Sequence, residues 1–235
     1  MHTDATALTS RPDHLVIGAA SLAEGVEWCE RVLGLTPGPG GEHPLMGTHN
    51  RLFSIASAAY PALYLEVIAI QSGAPCARPA GFKRWFDLDD ASLQAHLSAH
   101  GPQLLHFVAR TDEVQAAHQS LAELGLERGD ILEASRMTAQ GLLSWKITVR
   151  PDGQRLFNGT LPTLIQWGDV HPARTMPPSG ITLQSLQASQ PNADTLRAAY
   201  AAIGLTGVGV MQGPPNLLAT LHTPRGLVTL ESKGI

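Results

Sequence analysis

Short runs of alternating apolar and polar residues punctuate this chain, and between them the apolar positions fall at helical spacing. DHLVIGA (13–19) reads as a strand, and SLAEGVEWCERVLGL (21–35) reads as a helix, with Ser21 and Glu24 at capping-box spacing and Gly34 as its left-handed terminator. The stretch after it is too rich in glycine and proline for regular structure until RLFSIAS (51–57) and ALYLEVIAI (62–70), which read as paired strands. A loop and a short helix, ASLQAHLSAH, started by Asp89 or Asp90, fill the connector 71–103.

The same order then returns. LLHFVAR, DEVQAAHQSLAELGL, DILEASRM, LLSWKITVR and LPTLIQWGD predict strand, helix and three strands, and a third, shorter set runs from ITLQSLQASQ to GLVTLES, with Asn192 as its helix cap. Gly-Leu closes each helix, at Gly34-Leu35, Gly125-Leu126 and Gly204-Leu205. One unit used three times gives every position a counterpart. The expected organisation is a tail 1–12, paired units at 13–70 and 104–168 within 13–172, and a third unit at 179–235. Two or three short runs after each helix, separated by turn residues, argue for antiparallel hairpins and against a doubly wound parallel sheet; the fold class is α+β.

Composition narrows the picture without naming a function. The 235 residues are 43% hydrophobic and 15% charged, enough for one large or two modest cores. Cys29 and Cys76 fit neither a disulfide framework nor a zinc motif, so a reducing compartment such as the cytoplasm is expected. The first dozen residues lack a secretory pattern, and no apolar run approaches membrane-spanning length. With a net charge of −4 and no basic cluster, nucleic acid is an unsuitable partner.

The repeat singles out His14 and His106, near the starts of the first and second units' opening strands; the third unit has Gln184 or Ser185 there. A histidine within an apolar strand is ordinarily a hydrogen-bonded packing residue. GTHN (47–50) reads as a tight turn, or as a rim carrying Thr48, His49 and Asn50. Arg51 and Arg136 have the chemistry to orient a carboxylate or phosphate, and Trp145 and Trp167 suit a core or lid, or in Trp145's case a substrate platform. His96, His100 and His118 fall on solvated helix faces.

The ordered strings PLMGTHNRLFSI, YLEVIAI, RWFDLDD, LLSWKITV and LIQWGDVHPA, over residues 13–172, resemble the glyoxalase-like domain family of the vicinal oxygen chelate superfamily. The resemblance implies two βαβββ units closing into a cup around a divalent metal (zinc, nickel, iron(II), cobalt or manganese). Its expected ligands are His14, Glu66, His106 and Gln166, with Glu66 also a candidate base. Gln166 stands where much of the superfamily has glutamate, and an amide accepts no proton at neutral pH, which argues against glyoxalase I activity. The expected function is metal-assisted lyase or isomerase chemistry on a small oxygenated substrate. The alternatives are a protein that only binds or sequesters a small molecule, and a ring-cleaving dioxygenase. A homodimer is expected through the third unit's open sheet, with Glu231, the counterpart of Glu66, at the surface or interface.

Overall fold

The computed structural model describes residues 7–138 and 141–235. Residues 1–6 of the expected tail lie outside the described residues, whereas Ser10–Gly18 already form strand β1. Helix α1 (Leu22–Trp28) follows, with the Ser21 hydroxyl accepting from the Glu24 amide. It runs on as a π-helical turn, Cys29–Leu33, and stops at Gly34, whose φ of 78° lies in the left-handed region open to glycine. Strands β2 (Glu42–His43), β3 (Thr48–Ser54) and β4 (Tyr64–Ile70) complete the first unit.

Helix α2 (Ala91–His100) occupies the connector and is capped by Asp90, which accepts from the amides of Ser92 and Leu93; Asp89 instead pairs with Arg84. The second unit comprises β5 (Gln103–Thr111), α3 (Val114–Glu123), β6 (Asp130–Thr138), β7 (Gly141–Val149) and β8 (Thr163–Trp167).

These two units share one eight-stranded sheet in the order β2-β3-β4-β1-β5-β8-β7-β6. Within each unit the first strand lies parallel to the last, and β1 meets β5 antiparallel, with His14 opposite Val108 and Val16 opposite His106. The sheet curls until its edges approach each other: a Cβ on Gly41, beside β2, would collide with the Arg136 guanidinium on β6. Strand periodicity divides the apolar residues between two cores. Leu15, Ile17, Leu65, Val67 and Phe107 face the helices on the convex side, while Val16, Ile68, Val108 and Ile165 face the hollow.

The third unit keeps the element order but changes the wiring. Its strands β9 (Thr182–Gln190), β10 (Gly209–Gln212), β11 (Asn216–Thr223) and β12 (Gly226–Glu231), with helix α4 (Ala193–Ala202), form a separate sheet in the order β10-β9-β11-β12. Here the first strand pairs with the second and third and not with the last, so Glu231 on β12 has no positional equivalence to Glu66. Nor is the sheet's apolar face open. Leu186, Ala188, Leu217 and Leu221 join the convex core of the first two units, and Leu183 donates its amide to Ile55. Burial of each such leucine is worth about 2 kcal/mol, and it seals this face of the sheet against its own chain, leaving β10 and β12 as its open edges.

Candidate functional site

The polar wall of the hollow begins with an irregularity in β1. Pairing with β5 passes from Pro12 directly to His14, so Asp13 is an extra residue in the strand. A bulge of this kind re-aims a side chain, and Asp13 is fully buried where alternation alone would turn it away from His14. One carboxylate oxygen accepts from His14 Nδ1 at 2.7 Å, and the other accepts from His171 Nε2 at 2.9 Å and Trp167 Nε1 at 3.0 Å. Burial alone would push this carboxyl upward, but the hydrogen bonds and charges of His14 and His171 outweigh it and hold the group far below the usual carboxylate range. With its Nδ1 proton fixed on Asp13, His14 presents Nε2 to the hollow.

Glu66 faces that nitrogen from β4, with Oε2 at 3.6 Å from His14 Nε2. Its other oxygen accepts from Asn50 Nδ2 at 2.6 Å, and the Asn50 amide oxygen accepts from the Gly41 backbone at 2.8 Å. Tyr64 stacks on His14 with centroids 4.6 Å apart and planes at 21°. Burial, then the charges of Asp13 and Glu66, drive the Tyr64 phenol well above its ordinary range, so it stays protonated. His43 is held by Thr48 Oγ1 at 3.0 Å. Enclosure, followed by the Arg136 charge, depresses its imidazole to about 3, which keeps it neutral near pH 7.

The opposite wall is apolar. Leu143, Trp145, Ile147, Ile165 and Trp167 come from the second unit, and Trp85 and Phe86 close the hollow from the connector. The space between the two walls is about 40 Å³. Arg136 is the cation of this wall; its Nη1 is buried with no hydrogen-bond partner, and among the described residues no carboxylate forms an ion pair with it.

The structure brings together His14, Glu66, Asn50, Arg136 and Trp145, with Thr48 in support through His43. It does not bring the other expected ligands with them. His106 faces the hollow side of the sheet but is sealed beneath Phe86, at 5.4 Å between centroids. Its Nδ1 donates to the Gly159 carbonyl at 2.7 Å and its Nε2 accepts from the Thr163 amide at 3.0 Å, so neither nitrogen is free for a metal. Gln166 points to the convex side, where its oxygen accepts from the Val114 amide at the start of α3. The cup-facing neighbours on β8 are Ile165 and Trp167, because a shift of one residue along a strand reverses the face. His49 and Arg51 are not in the hollow either: Asn50 and Leu52 line it, His49 lies between Thr48 and Asn50, and Arg51 is exposed between Asn50 and Leu52.

A resident divalent ion therefore does not fit this donor set. Catalytic zinc centres take three protein ligands, and among the described residues no three His, Cys, Asp or Glu side chains are placed to hold an ion. An arginine also lines the same space. With both His106 nitrogens engaged, the expected set of His14, Glu66 and His106 does not form the two-histidine, one-carboxylate triad that ring cleavage on iron(II) requires. Asp13, His43, Trp85 and His171 went unread in the sequence. The one available signal was the adjacency of Asp13 to His14, which becomes a hydrogen bond only through the bulge.

Two βαβββ units sharing one cup-shaped sheet are the architecture of the vicinal oxygen chelate class. The model of the glyoxalase-like domain family matches residues 13–204, and the chain belongs to that family. The match extends through β9 and α4 into the third unit.

Among solved structures, a hypothetical protein from Staphylococcus aureus is 14% identical with a TM-score of 0.56, covering 94% of this chain and 85% of its own. The methylmalonyl-CoA epimerase of Mycobacterium tuberculosis is 16% identical at a TM-score of 0.39, covering 71% of this chain and 92% of its own. A serine-to-threonine variant of the Streptomyces coelicolor enzyme, in complex with 2-nitronate-propionyl-CoA, is 17% identical at 0.41, covering 70% and 99%. No curated protein matches the chain. Among the described residues no helix is long and apolar enough to cross a membrane.

Proposed function

We propose that the chain is an enzyme that moves a proton on a small, anionic, oxygenated organic molecule, in lyase or isomerase chemistry carried by side chains. The observation that supports this most is the line Asp13, His14, Glu66, with contacts of 2.7 and 3.6 Å, ending in the hollow beside the Arg136 guanidinium, whose Nη1 has no hydrogen-bond partner. Asp13 fixes the tautomer and stabilises the imidazolium, so His14 Nε2 is the base that removes a proton from a carbon next to a carbonyl or carboxyl group. Glu66 stands near enough to exchange that proton and return it. Arg136 offsets the negative charge gathering on the substrate oxygens, and Tyr64 holds the face of the imidazole in place. No step is assigned to a metal.

The reading is tested by incubating the protein in deuterium oxide with a panel of small 2-oxo and 2-hydroxy acids and following exchange at carbon by proton NMR. Exchange that disappears in Glu66→Gln and His14→Ala supports it. Thermal stabilisation by a ligand with no exchange in any mixture would replace it with the second reading, a protein that holds a small molecule without chemistry. The aromatic wall of Trp85, Trp145 and Trp167 favours that second reading. For assembly we propose a homodimer through the β6–β7 hairpin, where Met137 and Leu142 are exposed at 76% and 54%. A monomer by light scattering at micromolar concentration would contradict it.

A further inference from the structure

One short turn occurs twice in the chain, and its backbone is strained both times. Arg84-Trp85-Phe86-Asp87 and Arg155-Leu156-Phe157-Asn158 each hold a phenylalanine and its polar neighbour in the left-handed region: Phe86 and Asp87 at φ of 60° and 59°, Phe157 and Asn158 at 53° and 50°. For a bulky residue that conformation is an outlier, and it persists only where the surroundings hold it. The second turn has a structural use. Phe157 packs on the convex core, its carbonyl accepts from Gln190 Nε2 on β9 at 2.6 Å, and Asn158 donates to the Gly234 carbonyl at 3.0 Å, so this turn docks the third unit.

The first turn delivers its rings to the hollow instead. Trp85 and Phe86 belong to the core on that side of the sheet and stack at 5.3 Å with planes at 18°. Both line the space between the two walls, and both also line a second space of about 10 Å³, so the rings stand between the two. The turn is braced: Asp87 Oδ2 accepts from Arg155 N at 3.1 Å and Nε at 2.9 Å, and the Asp87 amide donates to the Gly153 carbonyl at 3.0 Å. At about 40 Å³, the hollow has room for about three water-sized spheres. The rings fill what a longer substrate would need.

We propose that the Trp85–Phe86 pair is the specificity determinant of the hollow, restricting it to 2-oxo or 2-hydroxy acids of about three or four carbons. This rests on reading the hollow as the site of a small oxygenated anion, but not on any proton moving there.

Thermal-shift titration of the full chain with straight-chain 2-oxo acids, from pyruvate to 2-oxooctanoate, tests it. Without a filter, affinity should rise roughly fourfold with each methylene buried against the apolar wall. The filter predicts the reverse: pyruvate and 2-oxobutyrate bind tightest, and 2-oxohexanoate at least about tenfold more weakly. In Phe86→Gly, where glycine accepts a φ of 60° without strain, 2-oxohexanoate should bind about tenfold tighter than in the wild type. Affinity that climbs steadily with length in the wild type, an unchanged profile in Phe86→Gly, or no stabilisation by any of the acids would overturn the proposal. Should Phe86→Gly not fold, the wild-type profile alone decides. Deuterium exchange on the same acids separates the two readings: a break in length with no exchange at carbon supports the filter and removes proton transfer, while exchange with no break does the opposite.

Discussion

On β1 and β4 the cup-facing positions carry His14, Tyr64 and Glu66, whereas the matching strands β5 and β8 carry His106, Val108, Ile165 and Trp167. The two units have the same element order, the same parallel pairing of first and last strands, and a histidine at the same place on the first strand. Their histidines nevertheless have different partners. His14 keeps one nitrogen towards the hollow because Asp13 takes the other, while His106 is closed off at both nitrogens by Gly159 and Thr163. Shared backbone symmetry thus says where a side chain starts, and its hydrogen-bond partners decide what it can do.

The sharpest break in this comparison is kinetic. On whichever substrate shows exchange, His14→Ala should lower turnover by roughly 10²–10⁴-fold, the usual worth of a positioned acid or base. His106→Gln should leave kcat and KM near the wild-type values. Equal losses in the two variants would restore a symmetric site.

Asp13→Asn should cost roughly 10–100-fold in turnover, because the amide no longer fixes the His14 tautomer. It should also change acid stability. The Asp13 carboxyl is depressed in the folded protein, so its contribution is complete above the unfolded value of about 4 and is lost as pH falls towards the folded one. Denaturant midpoints measured from pH 5 downward should fall less steeply in Asp13→Asn than in the wild type.

His106→Gln sharpens the other side. Leaving the Gly159 carbonyl and Thr163 amide short of partners should destabilise the fold by about 1–3 kcal/mol. Burial depresses the His106 imidazole, so the folded state resists a proton that the unfolded chain accepts below about 6.5. Stability is therefore lost as pH falls below that value, and the variant should show a flatter profile between pH 7 and 5. Gln166→Ala, removing a helix-start acceptor, should cost about 1 kcal/mol, and Arg51→Ala no more than about 0.5 kcal/mol; neither should alter exchange.

The repeat and the first unit's face were legible because strand periodicity is strict: His14 and Glu66 sit on alternate positions of adjoining strands, and both turn inward. The β8 strand defeated the same reasoning. LIQWG carries apolar residues on both faces, so parity counted from Gln166 had no polar partner to anchor it, and α3 lies on the side to which it turns. Asp13 was invisible for a different reason, since a bulge is a property of two strands and is written in neither alone. Trp85 and His171 reach the site through loops distant in sequence, which no local pattern encodes. The third unit's rewired sheet hid behind an identical order of elements.

The most direct test of the two-wall account is ¹⁵N NMR of the imidazoles, recorded first with chelator and then with one equivalent of zinc. The account predicts His14 protonated at Nδ1 with Nε2 bare, His106 locked in one neutral tautomer, and no joint change on adding zinc. Coordinated shifts of the His14 and His106 ring nitrogens at one equivalent would mean that both hold the same ion, and would contradict it.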